Sequence, residues 1–210
     1  MNPLSKDLWE RGLLYKDYRR TVRRNGKTFD EVFRDPTHED ADLAFLRQLP
    51  PLRVLAIGED WCPDVYHTLP TWVRIADELP GWQLRIFSRD AHPDLMRFFL
   101  WRKDAQRIPV YAFYDDEDRL QTWWSGRSAT AQRAFDESLG GRPFSKLDPE
   151  ERKRVSDAFE EGYRREFRRA NLEEILALLS AFFHLSPREE QGLLEEGAGE
   201  AVAAEEAGAP

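Results

Sequence analysis

The sequence predicts an α/β domain in which a mixed sheet carries helices on both faces, with further helices added at both ends. Three observations predict it. Two short apolar runs, at 53–58 and 82–87, are separated by a stretch with three- and four-residue apolar spacing, the pattern of a crossover helix between parallel strands. Two more runs, at 109–114 and 119–124, are joined only by Asp115-Asp116-Glu117-Asp118, a connection short enough for an antiparallel pair. The segments before residue 50 and after residue 140 show helical spacing and no strand pattern.

In chain order, Ser5 is placed to cap a helix carrying Leu8, Trp9, Leu13, Tyr15 and Tyr18, which is expected to end at Asn25-Gly26. A second short helix holds Leu43, Phe45, Leu46 and Leu49 and stops at Pro50-Pro51, completing an N-terminal helical extension over 1–50. The sheet-bearing core is expected over 51–140. Arg53 to Gly58 reads as a buried parallel strand, Val65 to Leu79 as a helix closed by Pro80-Gly81, and Trp82 to Phe87 as the next strand. His92-Pro93-Asp94 opens a helix expected to run through Trp101, the hairpin strands follow, and a helix from about Ser128 to Leu139 closes a βαβ-α-ββα order. Trp123 and Trp124 should point to opposite faces of their strand. Residues 141–186 carry two more helical stretches, about 148–167 and 171–183, the second apolar enough to dock on the core.

Composition excludes several classes. The chain has 210 residues, 31 Lys and Arg against 39 Asp and Glu, a net charge of −8 and a single cysteine. Residues 187–210 hold seven Glu and one Arg, so that tail carries −6 and the remainder only −2. With three sizeable apolar groups it is expected to be a disordered acidic tail. No apolar run reaches the roughly 18 residues of a membrane span, and no signal core is present, so a cytoplasmic protein that spans no membrane is expected. The acidic balance argues against nucleic acid as a partner. In the stretch from Tyr163 to Arg169, glutamates interleave with the arginines, as on a salt-bridged helix face. One cysteine excludes an internal disulfide and a multi-cysteine zinc site. His67, five positions beyond Cys62, lies about 140° further round a helix, and His38, His92 and His184 are scattered, so neither a metal nor any other cofactor is expected.

The one position that promises chemistry is Cys62, in Glu59-Asp60-Trp61-Cys62-Pro63-Asp64-Val65 between the first strand and the long helix. Pro63 suits the first helical position, which puts Cys62 at the N-cap. Free backbone N–H groups and the helix dipole lower a thiol pKa there, while Glu59, Asp60 and Asp64 raise it. Sequence leaves the balance open. The second marker is Ile108-Pro109 at the entry to the third strand, where a proline removes no ladder hydrogen bond.

These residues, in this order of elements, resemble the thioredoxin superfamily. Within it the chain is similar to a little-characterised single-cysteine branch in Trp61-Cys62-x-Asp64, Ser88-Arg89-Asp90 followed by Asp94-Leu95-Met96, Ile108-Pro109 and Trp124-x-Gly126-Arg127, over about residues 50–140. The resemblance implies a thioredoxin-like fold with Pro109 cis and lying against Cys62. It departs from the family at Val65, where a dithiol thioredoxin has its second cysteine, and at Ala56, where thioredoxins carry a buried carboxylate. The usual two-cysteine cycle is therefore excluded.

Two functions remain. In one, Cys62 is a monothiol thiol–disulfide oxidoreductase site resolved by an outside partner, a low-molecular-weight thiol or a protein disulfide. Trp61 and Pro109 would then shape its rim, Ile108 and Val110 would offer backbone for pairing with an extended substrate, and Pro63 and Asp64 join them as substrate-binding candidates. Arg127 and Arg89 are candidates for a substrate carboxylate, against the alternative of ion pairs with Asp64 or Asp90. In the other, a redox-inactive binding or scaffold protein uses the groove near Pro109 and Cys62 is a half-buried small residue.

Overall fold

The computed structural model describes residues 3–102 and 104–184; the expected acidic tail lies outside the described residues. Four strands, β1 (Arg53–Gly58), β2 (Gln83–Ser88), β3 (Val110–Tyr114) and β4 (Leu120–Ser125), form one sheet in the order β2-β1-β3-β4. β1 pairs parallel with β2, and β3 pairs antiparallel with both β1 and β4, so the sheet is mixed as expected. The crossover between β1 and β2 is helix α5 (Pro63–Glu78), whose Trp72 packs edge-on against Phe113 and tilted against Tyr111.

Side-chain alternation along β4 fixes the two faces. Trp124 stacks on Tyr111 on the α5 side, while Trp123 meets Phe99 on the other. Phe99 belongs to a 3-10 turn following α6 (Pro93–Met96). The helix expected to continue through Trp101 is thus a single α-turn followed by one 3-10 turn. Trp101 instead bridges to Ala105, with Trp101 N–H donating to the Ala105 carbonyl at 2.8 Å.

The N-terminal segment also departs from expectation. One helix ending at Asn25-Gly26 is replaced by α1 (Lys6–Arg11), α2 (Tyr15–Thr21) and α3 (Gly26–Arg34), followed by α4 (Asp40–Leu46). Ser5 caps α1 as anticipated. The break falls at Gly12 and Leu13 because the chain there becomes a partner of the sheet: Leu13 and Ile86 exchange two backbone hydrogen bonds of 2.9 Å. A side chain at Gly12 would meet Phe87 at 2.6 Å, so only glycine lets the backbone come this close. Asn25, in the left-handed region, starts α3 rather than ending a helix.

At the C-terminal end, α7 (Ala129–Leu139) begins on the Ser128 cap and α8 (Pro149–Gly162) on an Asp148/Glu151 capping box. α8 runs without a break through a π-helical turn, Tyr163–Phe167, into α9 (Arg168–Phe183), so the separation expected near residue 168 is absent. α9 buries Leu172, Ile175, Leu176 and Leu179 in the same core as the sheet, the N-terminal Trp9 and Phe29, and α5. An ion pair between buried Asp42 and Arg169 at 2.5 Å ties α9 to α4. Among the described residues no helix is long and apolar enough to cross a membrane.

Candidate functional site

The C-terminal end of β1 delivers the chain to the start of α5. Gly58, the last residue of β1, lies so near Val65 that a Cβ there would stand 2.8 Å from its Cγ1, which clamps the strand end against the first turn of the helix. Pro63 takes the first helical position and Cys62 is the N-cap, its carbonyl accepting from the Val65 and Tyr66 amides at 3.0 and 3.1 Å.

Across from it, the Ile108–Pro109 peptide is cis. The Cys62 Sγ lies 3.6 Å from the Ile108 carbonyl oxygen and 3.9 Å from Asp64 Oδ2. Cysteine, aspartate and the Ile108-Pro109 turn therefore meet at one point, where the thiol is only 6 % exposed. Burial, then the Asp64 charge, push this thiol up to about 12, against the backbone amides of Val65 and Asp64 and the more distant Arg127. The opposing influences at the helix start thus resolve toward a protonated resting thiol, because desolvation outweighs the amides.

Of the three acidic neighbours, two are committed elsewhere. Glu59 accepts from Ser88 Oγ at 2.7 Å and the Asp90 amide at 2.9 Å, joining the loops that follow β1 and β2. Asp60 accepts from the Arg23 and Arg24 amides at 2.6 and 3.0 Å, fastening the link between α2 and α3 to the loop before α5. Asp64 alone faces the sulfur. It is 2 % exposed, and its carboxylate is held by Arg127 Nη2 at 2.7 Å and by the Tyr163 hydroxyl. Burial raises its pKa, opposed by the Arg127 charge and the Tyr163 hydrogen bond.

Arg127 and Arg89 both take the ion-pair alternative: Arg127 with Asp64, Arg89 with Asp90 at 2.6 Å. The Arg127 guanidinium also stacks on Phe135 and Phe159, 4.6 and 4.7 Å from their ring centres. Trp61 is 41 % exposed and lies beneath the Arg89 guanidinium, 4.9 Å away. The structure thus gathers Cys62, Pro63, Asp64, Ile108, Pro109 and Arg127, while Trp61 stands at the exposed margin.

Tyr163 was not legible in the sequence. It comes from the π-helical turn between α8 and α9, and such turns often occur at functional sites. Its ring lies 4.5 Å from that of His67 and nearly parallel to it. His67 is fully buried, with Nε2 2.9 Å from Glu160 Oε2 and Arg168 donating to Nδ1 at 3.1 Å. That pattern assigns the proton to Nε2 and leaves the ring neutral, and burial lowers its pKa accordingly. Tyr66 donates to the same Glu160. The arginine-rich stretch that looked like a salt-bridged face is in part this internal network.

Two solved structures share the fold. An engineered HIV epitope scaffold has 15 % identity and a TM-score of 0.57, covering 83 % of this chain and 96 % of its own. A Pseudomonas aeruginosa protein of unknown function has 17 % identity and a TM-score of 0.55, covering 85 % and 98 %. No curated protein matches the chain in sequence. The family described as Thioredoxin matches residues 14–139, a span that holds the whole sheet, Cys62 and Pro109, and the chain belongs to that family.

Proposed function

We propose that the protein is a monothiol thiol–disulfide oxidoreductase whose Cys62 is protonated at rest and ionises as its substrate seats. The observation that carries this reading is the buried Cys62–Asp64 pair beside Pro109. Burying a carboxylate is costly, and a perturbed acid next to a nucleophile is a functional signature. Once a disulfide covers the sulfur and excludes water, Asp64 is the proton acceptor at hand, 3.9 Å away. Cys62 attacks one sulfur of the disulfide, an S–S bond to the substrate forms, and the other substrate sulfur leaves as a thiolate and takes the proton from Asp64. An outside thiol then attacks the mixed disulfide, releases a new disulfide and restores Cys62. Electrons balance without a cofactor, and the missing second cysteine is supplied by the partner, a low-molecular-weight thiol or a protein.

The test is the pH profile of mixed-disulfide formation at Cys62, read by mass. Internal proton transfer makes the rate nearly flat across the neutral range. In Asp64→Asn, where the proton must leave to solvent, the rate rises about tenfold per pH unit below the thiol pKa. A wild type that reacts no faster than the unfolded chain would instead establish the second reading, a redox-inactive binding protein. The thiol's burial and raised pKa favour that reading.

A further inference from the structure

On the edge of the sheet, beside Pro109, lies a cleft of about 350 Å³. Its walls include Trp101, Trp123 and Trp124, with Arg107, Arg127 and Glu174 among them. The position is set by backbone pairing: Ser125 stands opposite Val110, and the Gly126 amide donates to the Pro109 carbonyl at 2.8 Å. The volume is near the lower end of what small-molecule sites occupy, too small for a folded partner.

The charges in this cleft are unevenly matched. Glu174 is fully engaged, one oxygen accepting from Trp124 Nε1 and the other from the Ala129 amide at the start of α7, each at 2.8 Å. Asp64 is taken by Arg127 and Tyr163. Arg107 has no ion-pair partner among the described residues; its guanidinium lies 3.5 Å over the Trp101 ring, with Arg102 stacked on the same ring at 4.0 Å. The carboxylates of Asp136 and Asp64 influence it only at a distance, and Arg127 and Arg102 add like charge. Arg127 Nη1 is buried without a hydrogen-bond partner. The cleft therefore presents indole faces and one guanidinium without an ion-pair partner among the described residues, the chemistry of a site for a small anion with an apolar body.

We infer that this cleft seats the carboxylate of a low-molecular-weight disulfide, held by Arg107 against the tryptophan faces while its S–S bond reaches Cys62. The inference rests on the exchange reading above and names its substrate class. Arg107 immediately precedes Ile108, whose carbonyl faces the sulfur, and Arg127 holds the carboxylate beside that sulfur, so each arginine is one residue removed from the reacting atom.

Tryptophan fluorescence of Cys62→Ser, which cannot exchange, should report saturable binding of glutathione disulfide and much weaker binding of uncharged bis(2-hydroxyethyl) disulfide. Adding Arg107→Gln should weaken glutathione disulfide binding at least about tenfold, the loss of a charge-assisted bond, while Arg107→Lys keeps most of it. Equal binding of both disulfides, or indifference to Arg107→Gln in a protein whose thermal unfolding is unchanged, would overturn the inference. If binding depends on Arg107 but wild type forms no mixed disulfide, the carboxylate seat stands and the exchange reading falls. If both disulfides form mixed disulfides equally and independently of Arg107, the seat falls and exchange stands.

Discussion

Replacing Asp64 with Asn tests the electrostatics of the site most directly. At 3.9 Å from the sulfur, a carboxylate charge opposes thiolate formation by about 4 kcal/mol at an effective dielectric of about 20, equivalent to about 3 pH units. That Coulomb figure is an upper bound, because burial is the larger cause of the rise, so removing the carboxylate should bring the thiol down from about 12 by only part of its rise. It should not fall much below the free-thiol value of about 8.5, because desolvation, the larger cause, remains. Arg127, released from its ion pair, acts in the same direction as the loss of the carboxylate. The assay is the rate of alkylation against pH, and since Cys62 is the only cysteine, every modified molecule reports this site. Wild type should alkylate slowly throughout the neutral range, and the variant should gain about threefold for each unit by which its pKa falls, the tenfold rise in thiolate being partly offset by its lower nucleophilicity. A variant whose thiol pKa stays put or rises would show that Asp64 carries no charge beside the sulfur. A wild-type value below about 8.5 would refute the dominance of burial itself.

Three further perturbations probe the surroundings. Cys62→Ser should abolish mixed-disulfide formation while changing stability by only about 1 kcal/mol in urea unfolding, since a hydroxyl can donate to the Ile108 carbonyl as the thiol does. Gly58→Ala should destabilise by about 1–3 kcal/mol in the same assay, because its methyl would lie 2.8 and 3.0 Å from the two Val65 methyls between a strand and a helix that are both buried. His67 supplies a pH dependence: its folded pKa is depressed, so the unfolded chain binds the extra proton and stability is lost as pH falls below the free-histidine value of about 6.5. The slope approaches 1.4 kcal/mol per pH unit for that proton, and His67→Gln should flatten the acid side of the stability curve. A parallel curve in that variant would mean that His67 is not held neutral.

What was legible in the sequence was local. Pro63 after Cys62 marks a helix start whatever the rest of the chain does, and the acidic turn between two apolar runs marks a hairpin, so the N-cap cysteine and the order of strands could be read directly. Pro109 was identified through resemblance; its peptide bond is cis, and it is the Ile108 carbonyl before it that faces Cys62. What depended on distant partners was not legible. Helical spacing continues through Gly12 and Leu13, and only the sheet edge that Leu13 joins breaks the helix. The ionisation of Cys62 turned on how deeply it is buried, which a list of neighbouring acids does not contain; two of those acids are spent on loop amides. Tyr163 lies 99 residues from the carboxylate it binds, in a stretch whose arginines and glutamates look like any solvated helix.

That last contact bears on where the site's chemistry originates. The sulfur, the Ile108-Pro109 turn, Asp64 and Arg127 all lie within residues 14–139, the span shared with the family, yet the buried carboxylate needs more than Arg127 to complete its hydrogen bonding. Its other oxygen is met by Tyr163, from helices beyond that span, and Phe159 from the same helices packs on the Arg127 guanidinium. The C-terminal helices also contribute Glu174 and Leu178 to the cleft wall. The aspartate raises the thiol pKa, and the arginine that holds the aspartate lowers it, so any change in how α8 and α9 seat themselves alters the balance felt by Cys62. The family span supplies the nucleophile, and the added helices help to set the conditions under which it ionises.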